Sequence, residues 1–312
     1  MIAKNDISAA YDRIGSYIRR TPVISLPAGD FLDGVDVTLK LEQLQHASSF
    51  KPRGAFNALL SQSVPSAGAI AASGGNHGAA VAFAARRLGY RAEIFVPEIV
   101  SPAKKRLLES YGATLNVVGR EFAEALEACQ ARQAETSAVL LHAYDQPDIL
   151  AGQGTVGLEF EAQAPDVDTY LIAVGGGGLI GGVASWLCGR KKVVAVETVG
   201  TPCLNAALEA GHPVDVTVSG PAADSLGARR VGELGFAAAQ AFVSESVLVG
   251  DDAVRAAQRL LWDRLRLIAE PGGATALAAL VGGAYRPEPK ERVGVLVCGG
   301  NTDPAKIAES AS

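Results

Sequence analysis

The strongest constraint on how this chain can fold is a pattern used three times: a short apolar run ends in a glycine-bearing loop. Ala69 to Ala72 runs into Ser73-Gly74-Gly75-Asn76-His77-Gly78. Tyr170 to Val174 runs into Gly175-Gly176-Gly177-Gly178, and Arg292 to Val297 into Cys298-Gly299-Gly300-Asn301. Helical patterns follow the first two loops. Strands separated by helices need crossover connections, so the pattern predicts parallel sheets in an α/β fold.

In chain order, an amphipathic helix is expected over Ile7 to Arg19, stopped by Thr21-Pro22, then a strand over Val35 to Leu41 and a loop from Gln43 to Ser49. Strands follow at 69–72, 92–96, 114–118 and 138–141. The helices between them are a segment after Pro52, Ala79 to Leu88 closed by Gly89, one opened by Ser101-Pro102, and Glu121 to Ala134. A second unit begins near Ala151. The run Ala151 to Gly154 is followed by a helix to about Ala162, then come strands at 170–174, 193–197 and 292–297, helices at 179–187, 202–210, 251–267 and 271–281, and an irregular stretch over 214–236. The expected architecture is two doubly wound α/β domains with a ligand cleft between them, where strand C-termini gather. The small domain is assigned to residues 46–145, and the large one to 1–45 and 146–312. A chain of 312 residues suits two domains.

Composition removes several function classes. The formal charge is -5 and no Lys/Arg cluster marks a nucleic-acid footprint. The uncharged stretch Thr169 to Gly189 holds four consecutive glycines, which suits a strand–loop–helix rather than a membrane span. The four cysteines show no C-x-x-C spacing, and the N-terminus has no secretory h-region. A cytoplasmic protein with reduced thiols is expected.

The chemistry centres on Lys51, in Ser48-Ser49-Phe50-Lys51-Pro52-Arg53-Gly54. Proline is favoured in the first helical turn, which puts Lys51 at a helix N-terminus, where the dipole disfavours an ammonium. A neutral amine there can form a Schiff base and act as a base. A lysine in isolation is usually a solvated surface group. Gly175 to Gly178 can cradle a phosphate with backbone N–H groups. It is neither G-x-G-x-x-G nor a Walker loop, which argues against a dinucleotide or a nucleoside triphosphate. The segment Ser73 to His77 offers donors suited to a carboxylate. Taken alone, His77 reads as structural and Cys298 as core packing.

These four segments, Ser-Phe-Lys-Pro-Arg-Gly, Ser-Gly-Gly-Asn-His-Gly, the tetraglycine run and Cys-Gly-Gly-Asn, together resemble the serine/threonine dehydratase family. Its members are pyridoxal-phosphate enzymes of the tryptophan-synthase-β fold (fold type II), with serine racemase a close relative. The run Ala151-Gly152-Gln153-Gly154-Thr155 adds to the likeness. The resemblance implies that Lys51 holds pyridoxal 5'-phosphate as a Schiff base and that Phe50 lies against its ring. It implies that Asn76 bonds the phenolic oxygen, Gly175, Gly176, Gly177 and Gly178 bind the phosphate, and Cys298 faces the pyridine nitrogen. Ser73, Gly74, Gly75 and His77 would line the substrate-carboxylate pocket. The implied reaction is β-elimination from L-threonine and/or L-serine to a 2-oxo acid and ammonia, in a homodimer. A thiol opposite the pyridine nitrogen is a weak hydrogen-bonding group, which favours elimination over transamination.

Three departures refine this. Racemases of the family carry a serine where this chain has Gly74, so dehydration is expected over racemisation. Glu197 matches a cation-binding glutamate, but Cys203 stands where the partnering aspartate would be, so no metal is expected. The chain stops at Ser312 soon after the last motif, so a form without a regulatory domain is expected. Alternatives are a racemase, a β-replacement synthase, a hydroxyaspartate dehydratase reading a second carboxylate with Arg229 or Arg230, and a non-catalytic phosphate-binding protein.

Overall fold

The computed structural model describes residues 1–309. Helix α1 (Lys4–Ile14) leads to β1 (Val23–Leu26) and β2 (Asp36–Leu41), then α2 (Pro52–Leu60). Next come β3 (Ala69–Ala72), α3 (Asn76–Leu88), β4 (Ala92–Val96), α4 (Pro102–Ser110), β5 (Thr114–Val117), α5 (Phe122–Thr136) and β6 (Val139–Leu140). The chain continues through α6 (Pro147–Gln163), β7 (Thr169–Ala173), α7 (Gly178–Leu187), β8 (Lys192–Thr198), α8 (Cys203–Ala210), α9 (Ala223–Leu226) and α10 (Glu233–Phe242). It closes with β9 (Glu245–Val249), α11 (Asp251–Leu265), α12 (Pro271–Val281), β10 (Arg292–Val297) and α13 (Pro304–Glu309).

The strands form two sheets, one of six in the order β1-β2-β10-β7-β8-β9 and one of four in the order β5-β4-β3-β6. Every pairing is parallel except β1 with β2. Strands β3 and β7 are buried along their whole length, as parallel strands covered by helices on both faces must be. The large sheet's strands come from 23–41 and 169–297, and the small sheet's from 69–140.

The strand–loop–helix reading holds at the first two glycine loops, and several helix ends follow their sequence signals. Ser101 accepts from the Lys104 amide, and Gly89 closes α3 with a left-handed φ of 78°. The sequence reading missed β1 and β9. Both are edge strands of four and five residues, too short for a period-2 signal. It also ran 214–236 as irregular, where α9 and the first turn of α10 stand, and it placed the helix ending near Ala162 after the run Ala151 to Gly154, where α6 already begins at Pro147.

One buried charge cluster fixes the position of α2. Arg53 donates to both oxygens of Glu42 at 2.8 and 2.7 Å, and to Glu159 at 3.2 Å. Lys40 donates to Glu159 at 2.5 Å and to the Thr21 carbonyl at 2.8 Å. All four charged side chains are buried. They bind the first turn of α2 to the end of β2 and to the middle of α6, so the residue preceding that turn, Lys51, is held from two sides.

Candidate active site

A cavity opens where β7, β10 and α2 meet. It is lined by Lys51, Asn76, Tyr144, the tetraglycine run, Glu270 and Cys298, among others. Parallel registers explain why distant residues meet there. Val295 lies opposite Leu39 and Leu171, so β2, β10 and β7 end at one level. The loop carrying Lys51 is sewn to the end of β10: the Phe50 amide donates to the Cys298 carbonyl at 3.2 Å, and the Gly300 amide to the Ser48 carbonyl at 2.9 Å.

Lys51 is the N-cap residue of α2, as its place before Pro52 predicts. Its amine donates to the Ala143 carbonyl at 2.7 Å. Burial lowers its pKa to about 8, against the pull of Cys298 and Glu270. Burial therefore leads the shift that the sequence reading assigned to the helix dipole. Phe50 is buried beside it, with its ring centroid 5.2 Å from the amine.

The tetraglycine run joins β7 to the N-terminus of α7. The N–H groups of Gly175, Gly176, Gly177 and Gly178 find no backbone acceptor among the described residues. A Cβ on Gly176 would lie 2.2 Å from the Tyr144 ring, so only bare backbone passes there. Gly177 has a φ of +93°, a conformation that L side chains resist. Unpaired amides at a helix N-terminus, with no side chain to cover them, fit a phosphate group.

Asn76 opens α3, and its Nδ2 donates to Glu270 at 2.5 Å. Cys298 follows β10 and is buried. Its thiol lies 3.4 Å from the Gly272 carbonyl, and burial pushes it up to about 12, so it is neutral at physiological pH. Burial likewise raises Glu270 to about 7, opposed by the Asn76 hydrogen bond.

The proposed carboxylate loop is only partly assembled around this cavity. Ser73 Oγ accepts from the Gly75 amide at 3.2 Å, and Gly74 packs under Val100. His77 is turned away: its Nε2 is 2.9 Å from the Leu141 carbonyl. Burial and then the Lys51 charge push it down to about 3, so the ring stays neutral. Neither Ser73, Gly74, Gly75 nor His77 lines the cavity.

Glu197 spends both oxygens on amides, accepting from Leu204 at 2.8 Å and Asn205 at 2.7 Å. Cys203 donates to the Gly175 carbonyl at 3.1 Å. Arg230 pairs with Asp215 on the surface, while its carbonyl accepts from the Tyr144 hydroxyl.

Sequence reasoning missed Tyr144, Ser225, Leu226, Glu270 and Gly272, all of which line the cavity. Glu270 left one signal, a lone carboxylate between Ile268-Ala269 and Pro271-Gly272-Gly273. Tyr144 left none. It is set by a turn in which His142 Nδ1 accepts from the Tyr144 and Asp145 amides at 3.2 and 2.8 Å.

A half-buried lysine and a run of unpaired glycine amides lining one cavity suit a cofactor that carries an aldehyde and a phosphate. A family model described as pyridoxal-phosphate dependent enzyme matches residues 14–299. The chain is 36% identical over 301 residues to phenylserine dehydratase of Ralstonia pickettii, covering 95% of this chain and 92% of that one. It is also 36% identical to L-threonine ammonia-lyase of Geobacter sulfurreducens, covering 97% and 76%. The structure of maize serine racemase superposes with a TM-score of 0.92 at 31% identity, covering 99% and 96%. The chain belongs to the pyridoxal-phosphate dependent enzymes, and its cofactor is pyridoxal phosphate.

Proposed function

We propose that the protein is an ammonia-lyase that removes the β-hydroxyl of L-threonine and/or L-serine, releasing a 2-oxo acid and ammonia. The carrying observation is the pairing of one half-buried, easily neutralised amine, Lys51, with a loop before α3 in which position 74 has no side chain. A Cβ on Gly74 would sit 2.6 Å from Val100 Cγ2, so the fold has no ready space for a second acid–base group there. One base without an opposing partner favours elimination over racemisation.

In this reading Lys51 and the amides of Gly175 to Gly178 would hold pyridoxal phosphate, Phe50 would pack against its ring, and Asn76 would donate to its phenolic oxygen. The bound cofactor supplies an electron sink that makes the substrate α-proton acidic. Lys51 takes that proton as a neutral amine. Cys298 is neutral, and at the pyridine edge it would supply none of the charge that a carboxylate would contribute there. Ser73, Gly74, Gly75 and the His77 backbone receive the substrate carboxylate at the N-terminus of α3, while the His77 ring braces the loop.

The test is 2-oxo acid release from L-serine, L-threonine, L-threo-3-hydroxyaspartate and phenylserine, side by side, with a chiral assay for D-serine. Release from serine or threonine without comparable D-serine supports the reading. No release from any of the four overturns it. We propose a cytoplasmic homodimer in which residues 46–145 form the small unit. Light scattering reads the mass.

A further inference from the structure

Glu270 is buried, lines the cavity and has no task in the reaction derived above. Its surroundings define one. Asn301 Nδ2 donates both to the Ala47 carbonyl, at 2.8 Å, and to Asn76 Oδ1, at 2.6 Å. The Ala47 carbonyl can only accept, so Asn301 must turn its NH2 group that way. Asn76 must then present Oδ1 to Asn301 and Nδ2 to the other side. There Glu270 Oε1 accepts at 2.5 Å. The chain Ala47–Asn301–Asn76–Glu270 thus has a single polarity. A carboxylate and a neutral carboxyl both accept at Oε1, so the polarity survives titration of Glu270.

Each Asn76 Nδ2 carries two hydrogens, and Glu270 takes one. The second is left for the cavity. Glu270 Oε2 has no hydrogen-bond partner among the described residues, yet it is not sealed from solvent. The neighbouring backbone is cut to fit: a Cβ on Gly299 would lie 2.0 Å from Glu270 Oε1 and 3.4 Å from Asn76 Nδ2.

We propose that Glu270 is a positioning residue for the cofactor. Together with Asn301 it locks the Asn76 amide so that an N–H, never the carbonyl, faces the phenolic oxygen of the ring. This deepens the reading above and rests on it. Asn76 is the group that touches the cofactor, and Glu270 acts through Asn76. The charged and titratable groups whose fields reach Glu270 are Lys51, Cys298, Asp224 and Lys104. None of them donates a hydrogen bond to it, so the acceptor role is read separately from charge.

The experiment compares the wild-type holoenzyme with Glu270→Gln, Glu270→Ala and Gly299→Ala. The readouts are the cofactor dissociation constant and the visible absorption maximum of the bound cofactor. The maximum responds to hydrogen bonding at the ring oxygen, which a merely structural role would not move. Glu270→Gln keeps an acceptor for Asn76, and is expected to bind within about threefold of wild type at the same maximum. Glu270→Ala and Gly299→Ala, the latter by pushing the carboxylate off Asn76, are expected to bind on the order of tenfold more weakly with a shifted maximum. The lock is overturned if both alanine variants match wild type, or if Glu270→Gln behaves like Glu270→Ala, since charge and not the acceptor would then be at work. Borohydride labelling of Lys51 in the wild type is read separately. Its failure overturns the cofactor assignment, and the lock with it, whatever the variants do.

Discussion

Burial holds the Lys51 amine near a pKa of about 8, so its neutral share grows from about a tenth at pH 7 to about nine tenths at pH 9. Only the neutral form attacks an aldehyde. The rate at which the apoprotein takes up pyridoxal phosphate is therefore expected to rise close to tenfold per pH unit below 8 and to level off above it, by stopped-flow absorbance. A flat profile would mean the amine is already neutral. Lys51→Ala is expected to lower 2-oxo acid release by at least ~10³-fold, in line with the loss of both a nucleophile and a base. At position 74 the constraint is steric. Gly74→Ser alone drives its Cβ into Val100, and is expected to lose activity without gaining racemisation. Gly74→Ser with Val100→Ala makes the space, and D-serine by chiral chromatography is the outcome to look for.

Among the elements, α2 and α7 are positioned by opposite means. Charge holds α2. Replacing Arg53 with Met leaves Glu42 and Glu159 buried without their shared cation, alongside Lys40 alone. Removing one partner of a buried pair costs about 3–5 kcal/mol, so Arg53→Met is expected to lower the denaturant midpoint clearly. Arg53→Lys is expected to recover little of it, because an ammonium cannot reproduce the two-pronged bond to Glu42. Absence of side chains holds α7. Gly176→Ala meets the Tyr144 ring, and is expected to weaken cofactor binding by about tenfold or more in a titration, at little cost to the sheet behind it.

Across the whole molecule, the two sheets are coupled by buried helices and by a few surface bonds over the cleft. Lys104 on α4 pairs with Asp224 on α9, and Asp224 is largely exposed. Exposed pairs contribute about 0–1 kcal/mol, so Asp224→Ala is expected to leave the thermal midpoint within a degree or two while Arg53→Met does not. The contrast separates the buried joint under α2 from the exposed link at the cleft mouth. Among the described residues, no helix is long and apolar enough to cross a membrane.

Much of this was legible along the chain, because its cause is local. Pro52 sets a helix start and Lys51 the cap before it. Gly89 ends α3, and bare glycines after buried strands mark where no side chain fits. Repeated strand–loop–helix spacing implies parallel sheets, since no short turn joins parallel strands. The glycine-loop motifs are contiguous for the same reason, each being one strand end and the turn beyond it. What only the tertiary structure decided are relations between segments far apart in number. Asn301, Asn76 and Glu270 form one chain of hydrogen bonds across separations of 225 and 194 residues. Tyr144 backs Gly176, and His77 is drawn off to Leu141 instead of toward the cavity. Edge strands β1 and β9 exist only because neighbours offer them ladders. A sequence carries propensity and period, which act over a few residues. Which buried donor meets which buried acceptor is decided only when the sheets and helices pack and bring distant groups within reach.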